Sequence, residues 1–230
     1  MTGPARVRPD VIVFDVVETL ASLDVVQTHL AAQGLPPGVL SAWFTRILRD
    51  AMALTLAGDY AGFADVAASA LHAETRGGLT DPQVQAVVAG FGQLTPQPDA
   101  VAAVRGARQA GARVFTLSNG AAATTQAFLD RSGLAPYVER VLSIEQARAW
   151  KPSRAPYELA LRAAGVPPER VALVAVHSWD IHGAHAAGLT TGWCPRLEGE
   201  PTPVFTPADV SAPTLDGVIA ALMALPAPEV

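Results

Sequence analysis

The hydrophobic positions fall into two alternating patterns along most of the chain. Val11 to Val16 is a continuous apolar run interrupted by Asp15, and Arg113 to Leu117 repeats the design before Ser118-Asn119-Gly120. Arg140 to Ile144, Val171 to Val176 and Thr190 to Cys194 are three further β-branched or apolar runs. Short, continuous apolar runs predict strands buried on both faces. Between them lie helical patterns with readable ends. One is predicted to begin at Asp99 and stop near Gly111; another follows Gly120 and stops near Gly133; a third runs through Tyr157 to Ala164 and stops at Gly165, ahead of Pro167-Pro168. Strand and helix alternating in this way predict an α/β fold, a parallel sheet with helices on its faces.

The stretch from Ser22 to Leu94 breaks the alternation. Its patterns are helical almost throughout: Val39 to Ala57, Phe63 to Ala73, and a helix opened by Asp81 as N-cap with Pro82 at its first position. Gly58-Asp59-Tyr60 and Arg76-Gly77-Gly78 supply turns between them, and Thr95-Pro96-Gln97-Pro98 leads the chain back. The expected organisation is a core of residues 1–21 and 95–230 with an all-helical cap, residues 22–94, inserted after the first strand. Pro201 to Pro207 reads as an ordered surface loop.

Composition narrows the function classes. Half of the 230 residues are hydrophobic and 16% are charged, which is ample for a full core. A formal net charge of -5 without a basic block argues against nucleic acid and anionic membrane as partners. Cys194 is the single cysteine, so neither an internal disulfide nor a cysteine-based zinc cluster can form. The first apolar run is too short to span a membrane and lacks the layout of a signal peptide, which makes the cytoplasm the expected compartment.

In an open α/β sheet, ligands bind beyond the carboxyl ends of the strands. The polar residues expected there are Asp15 and Thr19, then Ser118 and Asn119, then Lys151, then Asp180. Each has an ordinary structural reading. Asp15 can cap a turn, Ser118-Asn119-Gly120 can be a simple turn, Lys151-Pro152 can be a surface step before a helix, and Asp180 can cap Ile181 to Ala187. Their order gives the functional reading: an acid, a hydroxyl–amide pair, a lysine and a second acid recur at successive strand ends on one edge of the sheet.

Four motifs give the chain a family likeness: Phe14-Asp15-Val16-Val17-Glu18-Thr19-Leu20, Leu117-Ser118-Asn119-Gly120, Trp150-Lys151-Pro152 with Tyr157, and Ser178-Trp179-Asp180-Ile181-His182-Gly183-Ala184. In this set the chain resembles the haloacid dehalogenase superfamily, and within it the 2-haloacid dehalogenase branch, over essentially its whole length. The resemblance implies a Rossmann-like core with a helical cap, a short 2-haloacid and water as reactants, neither cofactor nor metal, and a possible homodimer. It makes Asp15 the nucleophile that displaces halide and forms an ester. It makes Lys151 the charge that keeps Asp15 ionised, and Asp180, oriented by Ser178 and Lys151, the partner of the hydrolytic water. Thr19, Ser118 and Asn119 would position nucleophile, substrate or halide, Tyr157 would stand beside Lys151, and Trp179 would wall the pocket.

Phosphatases of the superfamily carry a second aspartate two positions after the nucleophile, where this chain has Val17, to protonate the leaving oxygen. They also hold Mg²⁺ with an acid at a position that falls here on Val176 or His177. Halide leaves without a proton, so these losses favour carbon–halogen chemistry. The chain also departs from the dehalogenase branch. It has Val17-Glu18 where members carry Tyr-Gly, and Phe44 where a cap arginine clamps the substrate; Arg46 lies two residues on and faces elsewhere. Glu18 is either a buried pairing residue behind the site, the favoured expectation, or a residue that alters substrate choice. His177 is expected to line it, while His182 and His185 are expected at the surface or behind it.

Overall fold

The computed structural model describes residues 6–228. In chain order, β1 (Val11–Phe14) and β2 (Ala21–Ser22) precede α1 (Asp24–Ala32), α2 (Gly38–Leu56), α3 (Phe63–Glu74) and α4 (Asp81–Val88). Then come β3 (Thr95–Pro96), α5 (Ala100–Gln109), β4 (Arg113–Ser118), α6 (Ala122–Arg131), β5 (Arg140–Ser143) and α7 (Ile144–Ala147). The chain closes with α8 (Arg154–Ala164), β6 (Val171–Ala175), α9 (Ser178–Ala186), β7 (Thr190–Trp193), β8 (Val210–Ser211) and α10 (Leu215–Met223).

Six strands form one sheet in the order β5-β4-β1-β6-β7-β8, every pairing parallel. β1 is therefore central, and all four of its residues are buried. Its side chains alternate between two cores, as a pleated strand must. Val11 and Val13 pack with Tyr157, Ala160 and Ile181 of α8 and α9. Ile12 and Phe14 pack with Val104 of α5 and Val218 of α10. Because the strands are parallel, the residues after β1, β4, β5 and β6 emerge at one edge. The fold class is thus the expected α/β arrangement.

The helices α1–α4 are bracketed by a two-stranded antiparallel ribbon, Ala21 with Pro96 and Ser22 with Thr95. This ribbon binds the start and finish of the helical stretch into one hinge-like neck. Trp43 and Ile47 of α2 and Val66 of α3 are buried between helices, and the Trp43 indole donates to the Ala67 carbonyl at 2.8 Å. Thr80, not Asp81, occupies the N-cap of α4: Gln83 Oε1 reaches back to its N–H at 2.9 Å, a reciprocal capping pair that Asp81 is one residue too late to make. Asp99 does sit at the N-cap of α5, but its carboxylate is drawn away to Arg196 and the Leu215 N–H, 2.7 and 2.8 Å. The third core helix begins at Arg154 and ends with Gly165 in the left-handed region (φ 68°), as its sequence signal required.

Candidate active site

The chain leaves β1 at Asp15 and turns sharply, so the carboxylate stands at the carboxyl edge of the sheet with only 5% of the residue exposed. Four residues on, the Thr19 hydroxyl donates to Asp15 Oδ2 at 2.6 Å and accepts from the Val176 N–H at 3.2 Å. Lys151 arrives from the loop after β5, fully buried, and its ammonium uses all three protons. They go to Asp15 Oδ1 at 2.7 Å, Asp180 Oδ2 at 2.6 Å and the Leu117 carbonyl at 3.1 Å. Asn119 Oδ1 fixes this loop by accepting from the Lys151 N–H at 3.1 Å. Asp180 lies in the first turn of α9, and its second oxygen accepts from the Tyr157 hydroxyl at 2.6 Å.

Two buried acids sharing one buried lysine divide its charge unequally. Burial pushes the Asp15 carboxyl up, but the charge of Lys151 and the proximity of His177 outweigh it and hold Asp15 well below the usual carboxylate range. Asp180 goes the other way: burial and the Asp15 charge raise it despite Lys151. Asp15 is the stronger acid of the two and stays ionised. Burial opposes the charge on Lys151, yet Asp15 and Asp180 together raise its affinity for the proton.

A cavity of about 10 Å³, room for roughly one water, borders Asp15. Asp15, Val17, Phe44, Asn119, His177 and Trp179, all candidate site residues, line it together with Leu48 and Phe63. Phe44, Leu48, His177 and Trp179 also line an adjacent cleft of ≈ 810 Å³ beside α2. Leu48 and Phe63 escaped the sequence reading because an apolar side chain carries no chemical signal; only the helical spacing of Leu48 from Phe44 pointed to it.

Several expectations are corrected by position. Ser178 does not orient Asp180: its hydroxyl meets Thr202 Oγ1 at 3.1 Å and its N–H points to the Glu198 carboxylate, because residue 178 starts α9 on the cleft side. Asp180 is fully buried, with both oxygens engaged by Lys151 and Tyr157, and does not border the cavity. Tyr157 is likewise fully buried behind Asp180 and does not border the cavity. Ser118 turns its Oγ to the Gly120 N–H at 2.8 Å and faces a separate apolar pocket between cap and core. Glu18 is not buried behind the site: it lines the cleft, and its Oε2 lies 2.9 Å from His177 Nε2. Arg46 is spent on Glu74 at 2.8 Å. His182 pairs with Thr206 and His185 with Arg6. Among the described residues no three acid, histidine or cysteine side chains are grouped as metal ligands.

Two consequences can be measured. A Cβ on Gly183 of α9 would stand 2.5 Å from the Tyr157 hydroxyl and 2.6 Å from Pro152 Cβ. Gly183→Ala is therefore expected to cost about 1–3 kcal/mol by overpacking and to loosen the Tyr157–Asp180 contact, read by thermal melting alongside turnover. The second concerns pH. Burial lowers the affinity of His177 for a proton, but Asp15 and Glu18 outweigh it and raise its pKa to about 9. A histidine protonated more tightly in the folded state stabilises the fold fully below its unfolded pKa of about 6.5. That contribution is lost as pH rises toward 9. The melting temperature is expected to fall across this window in the wild type and to fall less in His177→Gln.

Comparison with known proteins places this geometry. The profile of haloacid dehalogenase-like hydrolases matches residues 9–188. The chain is 28% identical to haloacetate dehalogenase H-2 of Moraxella sp. (strain B), over 91% of this chain and 96% of that one. It is 31% identical to (S)-2-haloacid dehalogenase 4A of Burkholderia cepacia, over 85% and 87%. A crystal structure of an L-2-haloacid dehalogenase superposes with a TM-score of 0.87 at 26% identity, covering 96% of this chain and all of that one. With a buried carboxylate, a lysine and a second acid gathered at the carboxyl edge of its sheet, and a profile spanning most of its length, the chain belongs to the haloacid dehalogenase-like hydrolase family.

Proposed function

We propose that the protein is a 2-haloacid dehalogenase, a hydrolase acting on the carbon–halogen bond of short 2-haloacids, (S) enantiomers among the chiral ones. The observation that carries this reading is the environment of Asp15: an ionised carboxylate held from behind by Lys151 and Thr19, facing a small apolar cavity with Val17 in the place of a leaving-group acid. Asp15 attacks the α-carbon from the side opposite the halogen. The carbon–halogen bond breaks, halide leaves with the electron pair, and an ester joins Asp15 to the acid. Water then adds to the ester carbonyl, the acyl–oxygen bond breaks, and the 2-hydroxyacid departs with inverted configuration at its α-carbon. Lys151 favours the first step by keeping Asp15 charged at neutral pH. Phe44, Phe63 and Trp179 form the walls near the nucleophile and admit only a compact acid. The names of the similar haloacetate and (S)-2-haloacid enzymes support the substrate class.

The test is halide release from bromoacetate and both enantiomers of 2-chloropropionate, with and without EDTA, followed by single turnover in ¹⁸O-water. Release that survives EDTA, with label entering the Asp15 carboxylate, is the expected result. Label found only in the hydroxyacid would mean water attacks carbon directly, and the reading would fail.

A further inference from the structure

The residue at position 18 is out of keeping with its backbone. Glu18 adopts φ 65°, the left-handed region that a glycine enters without cost and a longer side chain does not. The carboxylate kept there has a definite partner: its Oε2 lies 2.9 Å from Nε2 of His177. That contact leaves the other ring nitrogen, Nδ1, buried with no hydrogen-bond partner and 3.5 Å from Asp15 Oδ2. His177 and Asp15 also wall the same water-sized cavity. Trp179 lies against the imidazole, ring centroids 5.2 Å apart, and restricts its orientation.

On the dehalogenase reading above, we infer that Glu18 and His177 form a carboxylate–imidazole dyad in which Nδ1 is the general base for hydrolysis of the Asp15 ester. Glu18 accepts a hydrogen bond from Nε2–H, which fixes the tautomer that leaves Nδ1 with a lone pair. Water in the cavity gives a proton to Nδ1 as its oxygen bonds to the Asp15 carbonyl carbon. The tetrahedral adduct collapses, the bond to the substrate oxygen breaks, and that oxygen takes the proton back from His177. Asp15 is left as the carboxylic acid carrying the water oxygen. Its proton passes to the imidazole, which regenerates the starting ion pair. The one proton released per turnover is that of the resting imidazolium, lost to solvent once Asp15 has been esterified.

The alternative base is otherwise engaged. Asp180, the nearest other carboxylate, has Lys151 on one oxygen and Tyr157 on the other and does not reach the cavity. The charges that face His177 also suit a base that works in the second step only. They are Asp15 after β1 and Glu18 in the following turn, with Glu198 and, from α2, Arg49 farther along the cleft. While Asp15 is a carboxylate it holds the imidazole protonated; esterification removes that charge, and burial then favours the neutral ring. His177 is the catalytic residue of this pair, and Glu18 positions it.

Rapid quench with bromoacetate, reading bromide and the mass of the peptide that holds Asp15, tests the dyad. In His177→Gln, bromide is expected in a burst equal to the active sites, after which turnover falls by about 10²–10⁴-fold and the ester accumulates on Asp15. Glu18→Gly suits the φ of its position, so folding is not at issue. Its hydrolysis is expected to slow, and the rise of that step with pH to move to lower pH, because the carboxylate that favours the imidazolium is gone. Wild-type hydrolysis in His177→Gln, loss of the burst itself, or an unmoved pH dependence in Glu18→Gly each overturns the dyad. A wild type that yields neither bromide nor an ester on Asp15 overturns the dehalogenase reading, and the dyad with it.

Discussion

Asp15→Asn is expected to lose halide release by a factor on the order of 10⁵ while the protein stays folded. The amide is nearly isosteric with the carboxylate and its oxygen can still accept from Thr19, so the turn after β1 has no reason to rearrange. What disappears is the nucleophile: a neutral amide offers no charged oxygen to an α-carbon, and no other carboxylate borders the cavity. Lys151 keeps Asp180 and the Leu117 carbonyl as partners. Halide release by the purified variant, with circular dichroism to establish the fold, is the measurement. Retention of more than about a hundredth of the activity would remove Asp15 from the role given to it.

Lys151→Met should affect both stability and chemistry. The ammonium is fully buried between two buried carboxylates, and deleting it leaves Asp180 with the Tyr157 hydroxyl and Asp15 with Thr19 and His177. Breaking a buried pair in this way costs about 3–5 kcal/mol, which denaturant titration would register. The chemical effect follows from the same charge. Burial alone would raise the Asp15 carboxyl; it is held below its ordinary pKa because Lys151, the largest opposing influence, acts together with His177. Without the lysine, only His177 and the Thr19 hydroxyl oppose burial, and the acid holds its proton to higher pH. Halide release at pH 7 is then expected to fall on the order of 10²-fold, with part of it returning as pH rises. The sign for stability is the reverse of that for His177. The wild type gains from an ionised Asp15 above the ordinary carboxylate pKa and loses that gain in acid, whereas the variant should be less sensitive to acid across the same range.

Much of this arrangement was legible in the sequence because it rests on patterns the chain must satisfy locally. β1 and β4 are buried on both faces, so they had to be uninterrupted apolar runs, and the chemistry had to begin where the runs stop. Lys151 and Asp180 were found by the same rule. Other features are set by partners far away in the chain. The ribbon that brackets the helices has two residues per strand, too few for any period to be visible. β8 is hidden for the same reason. Ser178 was misread because one position along α9 decides whether a hydroxyl faces Asp180 or the cleft. The contact of Glu18 with His177 joins residues 159 apart, and no spacing rule connects them. One clue was available: each follows the end of a strand, and those strands, β1 and β6, prove to be neighbours.

Trp150 precedes Lys151, and its backbone N–H donates to Thr55 Oγ1 while its indole donates to the Ala61 carbonyl, 3.1 and 3.0 Å. Phe63 stacks on the same indole. The residue next to the lysine is thus fastened to the helical insertion at three points. Excising α1–α4 to obtain a smaller, open protein would remove those anchors and is expected to let the lysine's loop drift, so the truncated protein would forfeit the charge behind Asp15. Engineering for bulkier acids is better directed at Phe44 and Leu48, which widen the entrance and leave the anchorage of Trp150 alone.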